Sequence, residues 1–210
     1  MTQVSLIKGR NYSVLFLLSK YRFLADMEDH SQRPVRSSFT INIVTSQEPR
    51  DVAAIEGLFN DYATWLGSHG VDLAFQSYAV ELSILPGKYT EENGGCLLLA
   101  RSTNAERVPS GCVALRPFEA PEVAEMKRLW VDPQARSLSL GRELVSAILS
   151  KARELKYKEV RLDTLPFMGK AQAMYQKFGF TECPPYYDTP IPETVFLSCR
   201  ILEDEESENK

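Results

Sequence analysis

Between residues 125 and 180 the sequence orders its elements as strand, loop, helix, strand and helix, and this run limits the fold more than any other part of the chain. Residues 125–131 (EMKRLWV) read as a strand, and residues 132–136, with Pro133, break it. A helix opens near Ser139 to Gly141, because Leu140, Leu144, Ile148, Ala152 and Leu155 recur three to four residues apart as one apolar stripe, with Lys151, Arg153 and Glu154 mostly off it. After a turn at residues 156–158, residues 160–164 form a second strand. A short helix then carries Ala171, Met174, Tyr175 and Phe178 on one face and stops at Gly179, in the C′ role. A helix start placed after a strand and a loop presents unpaired backbone N–H groups and the positive end of the helix dipole, which hold a pyrophosphate without a dedicated side chain. Arg136 adds a charge at the same place.

The remaining chain supplies the partners this run needs. Residues 39–44 alternate as a first strand. Pro49 at the first helical position and Gly67 bracket a helix whose stripe is Val52, Ile55, Phe59, Tyr62 and Leu66. Residues 71–85 fit either a helix or irregular structure, closed by Pro86 and Gly87. Residues 95–100 and 111–116 are two short apolar strands suited to a sheet covered on both faces, joined by the polar loop 102–109. A proline-rich loop at 183–192 leads to a last strand at 193–199. The order β-α-(α)-β-β-β-α-β-α-β-β predicts a single mixed sheet with helices on both faces, in the α/β (α+β) class, with no second domain or repeat.

Composition excludes more than it assigns. With 44% hydrophobic and 25% charged residues and a net charge of −4, the chain has no basic stripe to argue for nucleic acid. Cys96, Cys112, Cys183 and Cys199 show no Cys-x-x-Cys spacing, and His30 and His69 are the only histidines, so the cysteines are read as reduced, mostly buried thiols and no metal is expected. Residues 1–38 stand apart as an extension. Their five-residue apolar run at 14–18 is too short for a bilayer. Acids are absent before Asp26, which leaves mitochondrial targeting open beside a cytoplasmic location. Residues 203–210 form a mostly acidic, solvated tail.

Residues 131–136 (VDPQAR), 140–144 (LGREL) and 171–180 (AQAMYQKFGF) together resemble the GCN5-related N-acetyltransferase (GNAT) superfamily. The first two lie where that superfamily has its acetyl-CoA loop, Arg/Gln-Gly-x-Gly-x-Gly/Ala, and the third matches its Ala-x-x-x-Tyr-x-x-x-Gly-Phe helix. With the flanking strands the resemblance covers residues 39–202. It implies a mostly antiparallel sheet flanked by helices and acetyl-CoA as co-substrate. It places the cofactor against Leu129, Trp130 and Val131, then Arg136, Ser137, Leu138, Ser139, Leu140, Gly141 and Arg142, and Lys170 on the second helix. The first two loop glycines are Ser137 and Ser139 here. Serine keeps the N–H groups exposed if φ is negative, whereas a required positive φ costs about 1 kcal/mol or more. Met168 stands where many members carry an asparagine.

Transfer of an acetyl group from a thioester to an amine needs a held donor, a deprotonated acceptor and a proton for the leaving thiolate. The resemblance implies Glu125 as general base, alternatively a glutamate paired with Lys127 or Arg128, and Tyr175 as the proton donor. Strand alternation would put Glu125, Lys127, Leu129 and Val131 on one face and Met126, Arg128 and Trp130 on the other. Tyr78, Glu81 and Tyr186 lie in the regions that cover the acceptor, and Asp163 is read as an ion-pair partner of Arg161. Three readings follow: an N-acetyltransferase acting on a small-molecule amine, a protein lysine or N-terminal acetyltransferase, and a non-catalytic acyl-CoA-binding module. No nucleic acid or membrane partner is expected, and a homodimer is left open.

Overall fold

The computed structural model describes residues 38–118 and 122–201. Most of the N-terminal extension and the whole acidic tail expected from the sequence lie outside them. Seven strands form one sheet in the order β1-β2-β3-β4-β5-β7-β6: β1 (Phe39–Ile43), β2 (Cys96–Ser102), β3 (Pro109–Pro117), β4 (Val123–Val131), β5 (Glu159–Thr164), β6 (Thr181–Glu182) and β7 (Val195–Arg200). Every pairing is antiparallel except β4 with β5. The single mixed sheet predicted from the element order, mostly antiparallel as the resemblance implies, is the observed one.

Two helical layers cover it. Helix α1 (Pro49–Gly67) begins with Pro49 and buries Ile55, Leu58, Phe59 and Leu66. With Leu97, Leu99, Cys112, Ala114 and Trp130 it forms the core on one face. Residues 71–85, ambiguous in sequence, resolve into a 3₁₀ turn at Ala74–Gln76 and the short helix α2 (Tyr78–Ser83). On the other face lies α3 (Leu140–Glu154), whose Leu140, Leu144, Val145, Ile148 and Ala152 pack on Leu98, Val113, Leu115 and Met126. Full burial of each such side chain contributes roughly 1.5–3 kcal/mol.

Helix α4 (Gly169–Lys177) ends as the sequence predicts. Gly179 has φ +86°, its N–H donates to Gln176 O, and the Phe180 N–H donates to Tyr175 O, which is a Schellman closure. The cysteines are free thiols, and burial holds Cys96 up at about 12. Among the described residues no group of His, Cys, Asp and Glu could hold a metal ion, and no helix is long and apolar enough to cross a membrane.

One expectation fails in β4. Against β3 the register runs Met126↔Leu115 and Lys127↔Ala114, then resumes at Trp130↔Cys112, so Arg128 and Leu129 together oppose Val113. This is a β-bulge, with Arg128 at φ 56°. The extra residue interrupts the alternation. Met126, Leu129 and Val131 all pack toward the α3 core while Trp130 belongs to the α1 core. Leu129 and Val131 therefore do not share a face with Glu125 and Lys127.

Candidate active site

The parallel pairing of β4 with β5 lasts three residues, Val123↔Glu159 to Glu125↔Arg161, and then the strands part. The opening becomes a cleft lined by Met126, Lys127, Arg128 and Leu129 from β4 and by Leu162, Asp163 and Thr164 from β5. Tyr62 and Leu66 of α1, Val71, Leu73 and Gln76 of the following segment, and Ile191 of the β6–β7 loop line it too. Ala171 and Tyr175 of α4 complete the wall.

Beside this cleft β4 ends, a 3₁₀ turn at Pro133–Ala135 reverses the chain, and residues 136–139 lie exposed before α3. Among the described residues the backbone N–H groups of Ser137, Leu138, Ser139, Leu140 and Gly141 donate to nothing. Five such donors at the positive end of a fifteen-residue helix fit a pyrophosphate. The Arg142 N–H, expected to join them, is instead bonded to Ser139 O at 2.9 Å, and its side chain is exposed. Arg136, though exposed, is held against the aromatic surface: its guanidinium lies 4.9 Å from the Trp130 ring centroid and 6.0 Å from that of Trp65, with Nε donating to Val131 O at 3.2 Å. Trp130 Nε1 is buried without a hydrogen-bond partner among the described residues. Lys170 is exposed in the first turn of α4.

Both loop serines are left-handed, Ser137 at φ 69° and Ser139 at φ 63°. The costlier of the two sequence alternatives is the one adopted. The Ser139 side chain makes no capping hydrogen bond in exchange. Ser137→Gly and Ser139→Gly are each expected to raise stability by about 0.5–1 kcal/mol, since the left-handed conformation costs an L-residue ~1–2 kcal/mol and glycine's freer unfolded chain offsets only part of that. A higher urea midpoint at unchanged slope would show it. Acetyl-CoA affinity should be equal or tighter, and a large loss would make the hydroxyl itself a ligand.

The acidic residues proposed from sequence lie elsewhere than expected. Glu125 is fully buried and does not line the cleft. Arg116 Nε donates to its Oε2 at 2.7 Å, while Lys127 Nζ at 3.3 Å and the Tyr186 hydroxyl at 3.4 Å donate to Oε1. Both oxygens are thus committed, which corrects its reading as a general base facing the acceptor. Its partners are Lys127 and Arg116, and Arg128 is held by Glu81 instead. Glu81, expected near the acceptor, is held within the protein: it is 4% exposed, accepts from Arg128 Nε at 2.9 Å and Nη2 at 3.0 Å, and takes further bonds from Tyr89 at 2.7 Å and Lys88 at 3.3 Å. Tyr78 donates to Asn60 and lies under Arg128, and Tyr186 packs on Phe118 and Phe196; neither lines the cleft. Asp163, read as a partner of Arg161, receives Lys127 Nζ at 3.3 Å and does line the cleft.

Tyr175 is where the helix motif puts it, 7% exposed, against Phe180 and on the cleft wall. No described group hydrogen-bonds its hydroxyl, and burial pushes its pKa well up, so the hydroxyl keeps its proton. Tyr62, across the cleft, is pushed up to about 12 by burial. A free, protonated hydroxyl on the cleft wall can serve as a proton donor. Sequence reasoning missed Lys127 and Gln76 as cleft groups. Strand alternation marked the side of Lys127, but nothing in the sequence brings Gln76 to it.

Residues 52–180 match the sequence model of the Acetyltransferase (GNAT) family. An uncharacterised N-acetyltransferase of Schizosaccharomyces pombe is 38% identical over 157 residues, 75% of this chain and 93% of that one. Among solved structures, an acetyltransferase of the GNAT family from Staphylococcus aureus Mu50 superposes with a TM-score of 0.62 at 18% identity, covering 78% of this chain and 99% of that one. The Salmonella typhimurium protein yncA, solved with its cofactor acetyl-CoA, gives a TM-score of 0.56 at 17% identity over 82% of this chain and 99% of that one. At these identities the two structures speak to the fold.

Proposed function

The chain belongs to the acetyltransferase (GNAT) family and is an N-acetyltransferase, and from that premise we propose that it moves an acetyl group from acetyl-CoA directly to the amine of a small molecule. The observation that carries the cofactor assignment is the run of five unpaired N–H groups, residues 137–141, at the start of α3 beside the parted strands. Acetyl-CoA, when bound, supplies the thioester and its sulfur leaving group. The loop N–H groups and the α3 dipole hold the pyrophosphate, and Arg136, stacked on Trp130, offers its remaining donors to the same phosphates. Gly141 suits close approach: a Cβ there would meet nothing nearer than Met174 Sδ at 3.6 Å, so the protein's own packing does not require glycine.

The acceptor, its ammonium proton passed to solvent, would attack the thioester carbonyl as the neutral amine. Tyr175 would give its hydroxyl proton to the sulfur as the new C–N bond forms and the C–S bond breaks, and regain one from the newly acylated nitrogen. The Arg128–Glu81 pair holds the bulge that keeps β4 away from β5, and so keeps the cleft open for both reactants. A small acceptor is supported by the cover that residues 71–76 and Ile191 place over the cleft. The protein-directed alternative drew its support from Glu125, which is sealed behind the cleft.

Saturating acetyl-CoA, at about 100 times its dissociation constant, should stabilise the protein by roughly 2.7 kcal/mol, a rise of about 5–10 °C in Tm. Arg136→Ala should shrink that rise. Absence of any shift would remove acetyl-CoA from the proposal, and a thiol-release screen over amines and short basic peptides tests the acceptor class.

A further inference from the structure

The cleft carries polar groups that the proton donation by Tyr175 does not use. Asp163 on β5 lines it with a side chain 18% exposed and one oxygen on Lys127. Gln76, from the turn after α1, lines it too, and the Tyr187 hydroxyl of the β6–β7 loop, which is not part of the lining, lies beside both Asp163 and Gln76. Yet the Tyr187 hydroxyl and Gln76 Oε1 are buried without a partner at hydrogen-bonding geometry among the described residues. A buried polar atom left unpaired costs about 1–3 kcal/mol, so Gln76 Oε1 beside the Asp163 carboxylate on the cleft wall marks a place for a ligand group rich in donors. An ammonium, with three donors and no acceptor, is such a group.

The rest of the wall has another character. Leu66, Val71, Leu73 and Leu165 form a buried cluster with Met168 and Ile191 packed against it, and all six line the cleft. Asp163 is the one carboxylate among the described lining residues, while Lys127 and Arg128 are cations in the same wall. A second positive charge on the acceptor would meet repulsion and apolar surface there.

We infer that Asp163 and Gln76 seat the acceptor nitrogen, which arrives as an ammonium, gives one proton to solvent and attacks as the neutral amine, and that the apolar wall selects a primary monoamine with a hydrophobic body. The inference rests on the reading that a small amine is the acceptor and names its class. The full chain is assayed for acetyl-CoA-dependent thiol release with 2-phenylethylamine, hexylamine, spermidine and a capped lysine peptide. The two monoamines should exceed the other two by at least ~10-fold in kcat/KM. Asp163→Asn should raise KM for 2-phenylethylamine roughly 10- to 100-fold, and Gln76→Leu by a smaller factor, with the acetyl-CoA-induced rise in Tm unchanged in both. As a readout independent of turnover, 2-phenylethylamine in the presence of CoA should raise the Tm of the wild type and do so less in Asp163→Asn. Preference for spermidine or the peptide overturns the inference while leaving acetyl transfer intact, as does a folded Asp163→Asn with wild-type KM. No release with any amine counts against the transfer reading, and the monoamine-induced Tm shift still decides whether the seat exists.

Discussion

Tyr175→Phe is expected to lower kcat by ~100- to 10,000-fold, the usual loss when a positioned acid is removed, with acetyl-CoA binding retained. The substitution deletes one oxygen and keeps the ring that packs on Phe180. No hydrogen bond within the described residues is lost, so the fold should hold. The defect belongs to the chemical step: the acetyl-CoA-induced rise in Tm should match the wild type while thiol release collapses. Raising the pH should not restore the rate, because the missing element is a proton for the leaving sulfur and alkaline solution supplies fewer. Near-wild-type turnover in the phenylalanine variant would move the donor role elsewhere, with Tyr62 across the cleft next in line.

Glu81→Ala is expected to destabilise the protein by about 3–5 kcal/mol, because it leaves the Arg128 guanidinium, 6% exposed, as an uncompensated buried charge. The urea midpoint should fall accordingly. Arg128 also sits at φ 56°, a conformation that needs an anchor. Replacing both partners, as in Glu81→Leu with Arg128→Met, should recover much of the loss, and a double-mutant cycle would report the coupling. Acid has a similar effect on the wild type. Burial alone would raise the Glu81 carboxyl, but the hydrogen bonds and charge of Arg128, with Tyr89 and Lys88, outweigh it and hold the group down from 4.5 to about 2. Its folded value lies below its unfolded one, so the contribution is fully present above pH 4.5 and is lost as pH falls toward 2.

The parts legible in the sequence were those encoded by local repetition. The α3 stripe from Leu140 to Ala152, the stop at Gly179 and the placing of Tyr175 on α4 each follow from residues within a turn or two of one another, and the structure has all three. The Lys127 partner of Glu125, two residues away, was one of the alternatives read from the sequence, whereas the partners of Glu81 and Asp163 were not legible for the opposite reason. Glu81 meets Arg128 across 47 positions, and Asp163 meets Lys127 across 36, so spacing along the chain says nothing about either pair. Gln76 lies in a segment whose pattern fits helix and irregular structure equally, which hid the turn that points it at the cleft. For Ser137 and Ser139 the sequence showed that glycine was absent but could not show the sign of φ.

The bulge at Arg128 acts on the strand as a shift of reading frame. Upstream of it even-numbered positions, Ala124 and Met126, face the α3 layer; downstream odd-numbered ones, Leu129 and Val131, do so. Each half of β4 obeys the two-residue code by itself, and only the joint between them breaks it. Deleting Arg128 would restore one continuous frame with every apolar residue still on its own side, and would give an ordinary strand free to stay paired with β5. The single inserted residue thus lies just beyond the last pair of β4 with β5, at the mouth of the cleft that we propose receives the acetyl group and the amine.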